Sequence, residues 1–128
     1  MSVSQQYLEY LLDQLGAVRR LSSRRMFGGV GFYADELFFA IASADALYFK
    51  VDEPGRADFE REGMGPFAPF GDAARAMHGY YEVPPRVLED AEELALWVSR
   101  AVAVAAAAAE RRRRVRPRAR PRRPAATR

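Results

Sequence analysis

The side chains best suited to bind a ligand in this sequence are arginines close to its C-terminus. Nine of them stand in one short segment: Arg111, Arg112, Arg113, Arg114, Arg116, Arg118, Arg120, Arg122 and Arg123. Arginines separated by alanine and proline can neutralise phosphates one by one and release counterions, but they lack the geometry that reads base edges. The segment therefore predicts non-specific nucleic-acid binding through this tail. The alternative is a solvated end without a binding role.

Charge is divided unevenly along the chain. The 128 residues carry a formal net charge of +3, yet residues 1–109 hold ten basic and sixteen acidic side chains, a net charge of −6. Residues 110–128 hold ten arginines and one glutamate, a net charge of +9. Because a negatively charged body repels nucleic acid, the electrostatic prediction of nucleic-acid binding applies to the tail.

Residues suited to catalysis or metal binding are scarce. The chain has no cysteine and a single histidine, His78, which excludes thiolate catalysis, disulfides and metal sites built from several histidines. The glycines between Gly28 and Gly31 could cradle a phosphate, but no Gly-Lys-Ser/Thr follows them and their context is a hairpin. We therefore expect no catalytic, cofactor-binding or metal-binding residues, and a protein that is not an enzyme.

Aromatic residues allow two interpretations. Nine of them fall in or beside predicted strands: Phe27, Phe32, Tyr33, Phe38, Phe39, Tyr48, Phe49, Tyr80 and Tyr81. They could form a stacking platform for bases, as in sheet-based RNA binders. Aromatic residues at alternating positions more often fill a core, and we favour this interpretation because the body is net negative. Trp97 is likewise expected to pack on the sheet, whereas an exposed Trp97 would indicate a dimer or partner surface.

The elements that position these residues follow from the periodicity of apolar side chains. Leucines recur at helical spacing between residues 8 and 15, behind a capping serine. Leu47, Phe49 and Val51 alternate as the core side of a strand. The last helix begins at Asp90 and runs to about Arg114.

These elements predict an α+β domain in the order α-β-β-β-β-α-β-β-α, with an antiparallel sheet and helices packed on one of its faces. We place the domain at residues 1–109 and a disordered basic tail at residues 115–128, where prolines and arginines cannot bury enough apolar surface. The N-terminus lacks a signal-peptide pattern, and no apolar run is long enough to cross a bilayer. We therefore expect a cytoplasmic protein that does not contact membranes.

Several motifs resemble those of one bacterial family. They are Arg25-Met26-Phe27-Gly28-Gly29-Val30-Gly31-Phe32-Tyr33, Leu47-Tyr48-Phe49-Lys50-Val51-Asp52, Gly65-Pro66-Phe67, Tyr80-Tyr81-Glu82-Val83-Pro84, Leu88-Glu89-Asp90 and the stretch from Leu94 to Trp97. Together they resemble the TfoX N-terminal domain family, the Sxy-like regulators of natural competence genes. The resemblance spans roughly Leu8 to Ala105.

The resemblance implies an α+β fold of the secretion-chaperone type and a role in transcriptional co-activation of competence genes, together with a cyclic-AMP receptor protein. It implies no enzymatic activity, because the shared residues are expected to be structural. These family-motif residues are Arg25, Met26, Phe27, Gly28, Gly29, Gly31, Phe32, Tyr48, Lys50, Tyr81 and Pro84.

Two functional hypotheses follow. The first is a non-enzymatic, TfoX-like regulatory module that is associated with transcription, contacts a protein partner through its folded domain and is held near nucleic acid by the arginine tail. The second is a small protein-binding or chaperone-like dimeric domain with no nucleic-acid role, which a large exposed apolar patch would favour. The protein is expected to be a monomer or a homodimer.

Overall fold

The structure, a computed structural model, describes residues 3–26, 28–69, 71 and 75–115. Its elements, in chain order, are α1 (Gln5–Gly16), β1 (Ser22–Met26), β2 (Gly29–Ala34), β3 (Leu37–Ser43), β4 (Ala46–Lys50), α2 (Glu53–Arg61), β5 (Pro66–Phe67), β6 (Met77–Glu82), α3 (Pro85–Leu88) and α4 (Ala91–Val115). The predicted α+β class is confirmed. The order differs from the prediction by one short additional helix, α3, whose first turn carries Pro85, a residue that suits this position and cannot extend a strand.

All six strands belong to one antiparallel sheet with the order β1-β2-β3-β4-β6-β5. Two-residue turns join β2 to β3 and β3 to β4. Their central residues have positive φ angles, which are 51° at Asp35, 67° at Glu36, 51° at Ala44 and 60° at Asp45. Such turns match the right-handed twist of the strands they connect. The first four strands therefore form a continuous meander.

One face of the sheet packs against the helices. Leu47, Phe49 and Val51 expose 1%, 0% and 8% of their surface, so the predicted inward alternation of β4 is confirmed. Helix α4 lies along β3 and β4, and α1 contributes the fully buried Leu11 and Leu15. These side chains share a single core. The burial of one sheet face and of two helix stripes stabilises the domain.

Helix starts are fixed by capping side chains. The Ser4 hydroxyl accepts a hydrogen bond from the Tyr7 backbone N–H at 3.1 Å, which begins α1. The Asp90 carboxylate accepts one from the Glu93 backbone N–H at 3.2 Å, so the predicted start of α4 is confirmed. Each cap satisfies a backbone donor that has no partner within its helix.

The long helix α4 extends through the predicted domain boundary. It ends at Val115, a residue that we had placed first in the tail. The rest of the predicted disordered tail, residues 116–128, lies outside the described residues. Within the described part of the chain, no helix is long and apolar enough to cross a membrane.

Candidate nucleic-acid interface

The C-terminal end of α4 presents four consecutive arginines. Arg111 to Arg114 are exposed, where their positive charge complements the negative end of the helix dipole. Arg113 forms an ion pair with Glu110, with 2.5 Å between the guanidinium nitrogen and the carboxylate oxygen. Within the described residues, Arg111, Arg112 and Arg114 have no carboxylate partner. Their charges are therefore available to an external anion.

The other predicted nucleic-acid-binding residues fall beyond this helix. They are Arg116, Arg118, Arg120, Arg122 and Arg123, which all lie outside the described residues. Their role in binding stays a prediction.

Lys50 brings a further positive charge towards the end of α4. It lines a groove of about 410 Å³ between α2 and α4, together with Val104 and Ala107. Arg111 follows Ala107 by one helical turn and so lies on the same side of α4. Burial lowers the pKa of Lys50, and the positive charges of Arg112 and Arg111 lower it further. The positive charges at the end of α4 therefore act on the side chain with which β4 ends.

The same groove contains an ion pair and a buried indole. Arg100 pairs with Asp58 and lies over the Trp97 ring, 5.8 Å from its centroid. The Trp97 ring packs edge-on against Phe59, with 4.6 Å between the centroids, and exposes only 7% of its surface. Trp97 therefore belongs to the core and is not the exposed partner surface that would have favoured a dimer.

The nine aromatic residues are divided between the two faces of the sheet. Phe32, Phe39, Phe49 and Tyr81 are buried in the core, as our preferred interpretation predicts. Tyr33, Phe38, Tyr48 and Tyr80 are not part of this core; they lie on the face opposite the helices. For Tyr33, Phe38 and Tyr48, which are only partly buried, the core interpretation is wrong, because they point away from the helices. Tyr80 is buried on this outer face, at 8% exposure. Phe27 lies outside the described residues.

Three of the outward-facing rings form a continuous row. The centroids of Tyr33 and Phe38 are 5.2 Å apart, and those of Phe38 and Tyr80 are 5.9 Å apart. A cation covers each end of the row. The Arg24 guanidinium lies 5.1 Å from the Tyr33 ring centroid, and the Lys50 ammonium lies 4.9 Å from that of Tyr80. Both distances are within the range of cation–π attraction.

The glycines of the first motif have structural surroundings. Gly28 has a φ angle of 78°, which suits the turn between β1 and β2. A Cβ atom on Gly29 would lie 2.5 Å from the Ala42 carbonyl oxygen, and one on Gly31 would lie 2.7 Å from both Met26 and Phe38. These glycines allow close packing between strands and over the outer face. They do not line a phosphate cradle.

The remaining motif residues have varied positions. Arg25 is exposed on β1, and Tyr48 faces outward beside Phe67, with 4.8 Å between the ring centroids. The Tyr81 hydroxyl donates a hydrogen bond to Glu60 at 2.7 Å. Pro84 is buried and directly precedes α3, where no side chain caps the helix.

A second groove, of about 340 Å³, lies between α1, the start of β4 and the end of β6. Its walls include Tyr7 and the carboxylates of Asp45, Glu82 and Glu89. Burial, together with nearby tyrosine and carboxylate groups, raises the pKa of Tyr7 to about 12. This groove is acidic, whereas the groove at Lys50 combines Lys50 and Arg100 with the carboxylates of Asp52 and Asp58.

The described residues offer no metal site. No group of three or more His, Cys, Asp or Glu in that part of the chain could hold an ion. His78 is exposed on β6.

Sequence reasoning raised a stacking platform as the less favoured interpretation of the aromatic residues, but it did not identify which three rings form a row or which cations flank them. The signal was present, because Tyr48, Lys50 and Tyr80 occupy the outward phase of strands whose other phase is apolar. The approach of Lys50 to the end of α4 depends on the path of the helix, which no local pattern specifies.

Comparison with known proteins gives one family. Residues 13–105 match the family described as the TfoX N-terminal domain. No curated protein matches the chain.

Proposed function

Because the chain belongs to the TfoX N-terminal domain family, we propose that it is a non-enzymatic regulatory module that associates with nucleic acid through its arginine-rich segment. The observation that carries this proposal is the run of four exposed arginines at the end of α4, three of them without a carboxylate partner in the described part of the chain. Exposed arginines that have no carboxylate partner can exchange their counterions for phosphates. The run from Arg111 to Arg114 belongs to a helix whose earlier turns are buried in the core.

The regulatory part of the proposal rests on the folded domain. Its family membership suggests a transcription-associated role in the cytoplasm, of the kind that controls competence genes. In this role the folded domain contacts a protein partner while the arginine segment supplies non-specific affinity for nucleic acid. Specificity for particular genes would then come from the partner, because phosphate contacts carry no sequence information.

Fluorescence anisotropy with unrelated DNA duplexes tests the nucleic-acid association. If about six phosphates are contacted, log K falls with log salt concentration at a slope of about −5, and similarly for every duplex. A full-length variant with the nine tail arginines changed to glutamine should lose binding. The matched control changes Arg19 and Arg20 to glutamine and should bind as the wild type does. No binding at low salt, or unchanged binding by the tail variant, would refute the proposal.

A second candidate function is a small protein-binding or chaperone-like dimer with no nucleic-acid role. It is favoured by apolar side chains that remain exposed, Met77 on β6 at 42% and Leu96 on α4 at 65%. Sedimentation analysis of the wild type and of a Met77→Gln variant distinguishes the two functions. A dimer that the substitution dissociates, together with absent DNA binding, would support this second function.

A further inference from the structure

The outer face of the sheet carries a feature that the core does not require. We define the aromatic strip as Arg24, Tyr33, Phe38, Tyr80 and Lys50, which cross the sheet from β1 to β6. None of its aromatic members belongs to the single buried core. Tyr33 and Phe38 are partly buried, and the Tyr80 ring is buried, with the Lys50 ammonium over it. The helices α1 and α4 pack on the other face.

The charges along the aromatic strip are positive. In the described part of the chain, neither Arg24 nor Lys50 has a carboxylate partner. The positive charges of Arg111 and Arg112 also act on the Lys50 ammonium. The body has a net charge of −6. Asp45, Glu82 and Glu89 line the groove at the opposite end of β4.

Aromatic rings on an open sheet with cations at both ends have the chemistry that binds unpaired bases. Bases stack on the rings, and the cations neutralise the phosphates between them. A duplex would not satisfy this surface, because its bases are already stacked and paired. We infer that the aromatic strip is a stacking surface for single-stranded nucleic acid. The inference rests on the proposed function for the class of partner and adds a second site, on the folded domain.

The Gly31 position explains why the rings can stand side by side. A Cβ atom there would lie 2.7 Å from the Met26 methyl carbon and from a ring carbon of Phe38. The absent side chain therefore lets Phe38 and Met26 lie flat over β2. The bulge between Phe32 and Tyr33 then aligns Tyr33 with Phe38 on the same face. Backbone geometry thus holds Tyr33 and Phe38 side by side, whereas Arg24 and Lys50 lie over the rings of Tyr33 and Tyr80 and would move aside for a stacked base.

Anisotropy of the full-length protein with a fluorescent oligothymidylate or oligouridylate of about 12 nucleotides tests the inference. The test variant combines Tyr33→Leu with Phe38→Leu in one protein. It keeps apolar side chains at both positions but removes both partly exposed rings. Its affinity for the single strands should fall on the order of tenfold for each ring, while its affinity for a duplex of the same length stays unchanged. The control variant is Tyr10→Leu, which removes a tyrosine of α1 and should leave single-strand affinity unchanged.

Several results would overturn the inference. One is a folded double variant, checked by its circular dichroism melting curve, that binds single strands as tightly as the wild type. Another is a wild type that does not bind either single strand at low salt. A third is a wild-type dimer that the double variant dissociates, without single-strand binding, which would assign this face to a second copy of the chain.

The same assay separates this inference from the proposed function. The variant with nine tail arginines changed to glutamine should lose duplex binding and keep a measurable affinity for the single strands. If the wild type binds single strands but no duplex, the arginine proposal fails and the aromatic strip stands. The opposite result is also possible: the variant without the tail arginines loses duplex binding, but the variant without the rings of Tyr33 and Phe38 binds single strands as tightly as the wild type. The inference about the aromatic strip would then be refuted and the arginine proposal would be supported.

Discussion

Gly29→Ala tests the structural reading of the first motif. Gly29 is the first residue of β2 and is buried against the neighbouring strand. A Cβ atom at this position would lie 2.5 Å from the Ala42 carbonyl oxygen. The obstacle is backbone near the end of β3, so it cannot turn away as a flexible side chain would. One of the two strands must move, and the ladder between them must distort.

The magnitude follows from two opposing effects. Adding a methyl group to a packed interior costs about 1–3 kcal/mol of the free energy of unfolding. Alanine recovers roughly 0.5–1 kcal/mol of this because glycine loses more backbone freedom on folding. The net loss should be about 1–2 kcal/mol. For a domain of this size, each kcal/mol lowers Tm by about 4 °C, so Gly29→Ala should lower Tm by roughly 4–8 °C.

Thermal melting monitored by circular dichroism measures the effect, and Gly79→Ala is the matched control. Gly79 also lies in a strand, but no neighbouring heavy atom lies within 4 Å of a Cβ atom built there. Its substitution should leave Tm unchanged or raise it slightly. Equal Tm values for the two variants would refute the reasoning, because the approach of Gly29 to Ala42 would then carry no cost.

Two further predictions concern single side chains. The Asp52 carboxylate accepts a hydrogen bond from the Gly55 backbone N–H at 2.8 Å, and Asp52→Ala removes this cap. The free energy of unfolding, measured in urea, should fall by about 1 kcal/mol, and Asp52→Asn should retain most of the wild-type value. An unchanged midpoint for Asp52→Ala would contradict this. Burial raises the pKa of Glu82, so its ionised form destabilises the fold at neutral pH, and Glu82→Gln should raise Tm there. The gain should vanish below the ordinary carboxyl pKa of 4.5, where folded and unfolded chains are both protonated; a gain that persists in acid would exclude this cause.

Local patterns predicted most of the fold because the physical causes are local. The Ser4 and Asp90 caps mark helix starts through bonds that span three residues. The alternation of Leu47, Phe49 and Val51 fixes the inner face of β4, because a strand has a period of two. Both signals can be read in a short window of sequence.

The unpredicted features depend on contacts between distant residues. Arg86 forms ion pairs with both Glu62 and Glu93, at 2.5 and 2.7 Å, and so links α3 to the segments before and after it. No spacing rule places these three residues together. The outward position of Phe38 likewise depends on the bulge between β2 and β3, which shifts the register at Tyr33. A prediction from strict alternation along β3 would therefore assign its neighbouring aromatic residues to the wrong faces of the sheet.

The length of α4 is not explained by the core. Its last buried residue is Ala105, and the helix continues for ten residues to Val115, or about 15 Å. The turns beyond Ala105 are rich in alanine and then in arginine, residues of high helix propensity that form helix without tertiary contacts. Burial therefore accounts for the first part of α4 and propensity for the rest. The extension carries Arg111 and Arg112, whose positive charges act on Lys50. A helix that served the core alone could end near Ala105, so the formation of the additional turns depends on the helix propensity of alanine and arginine.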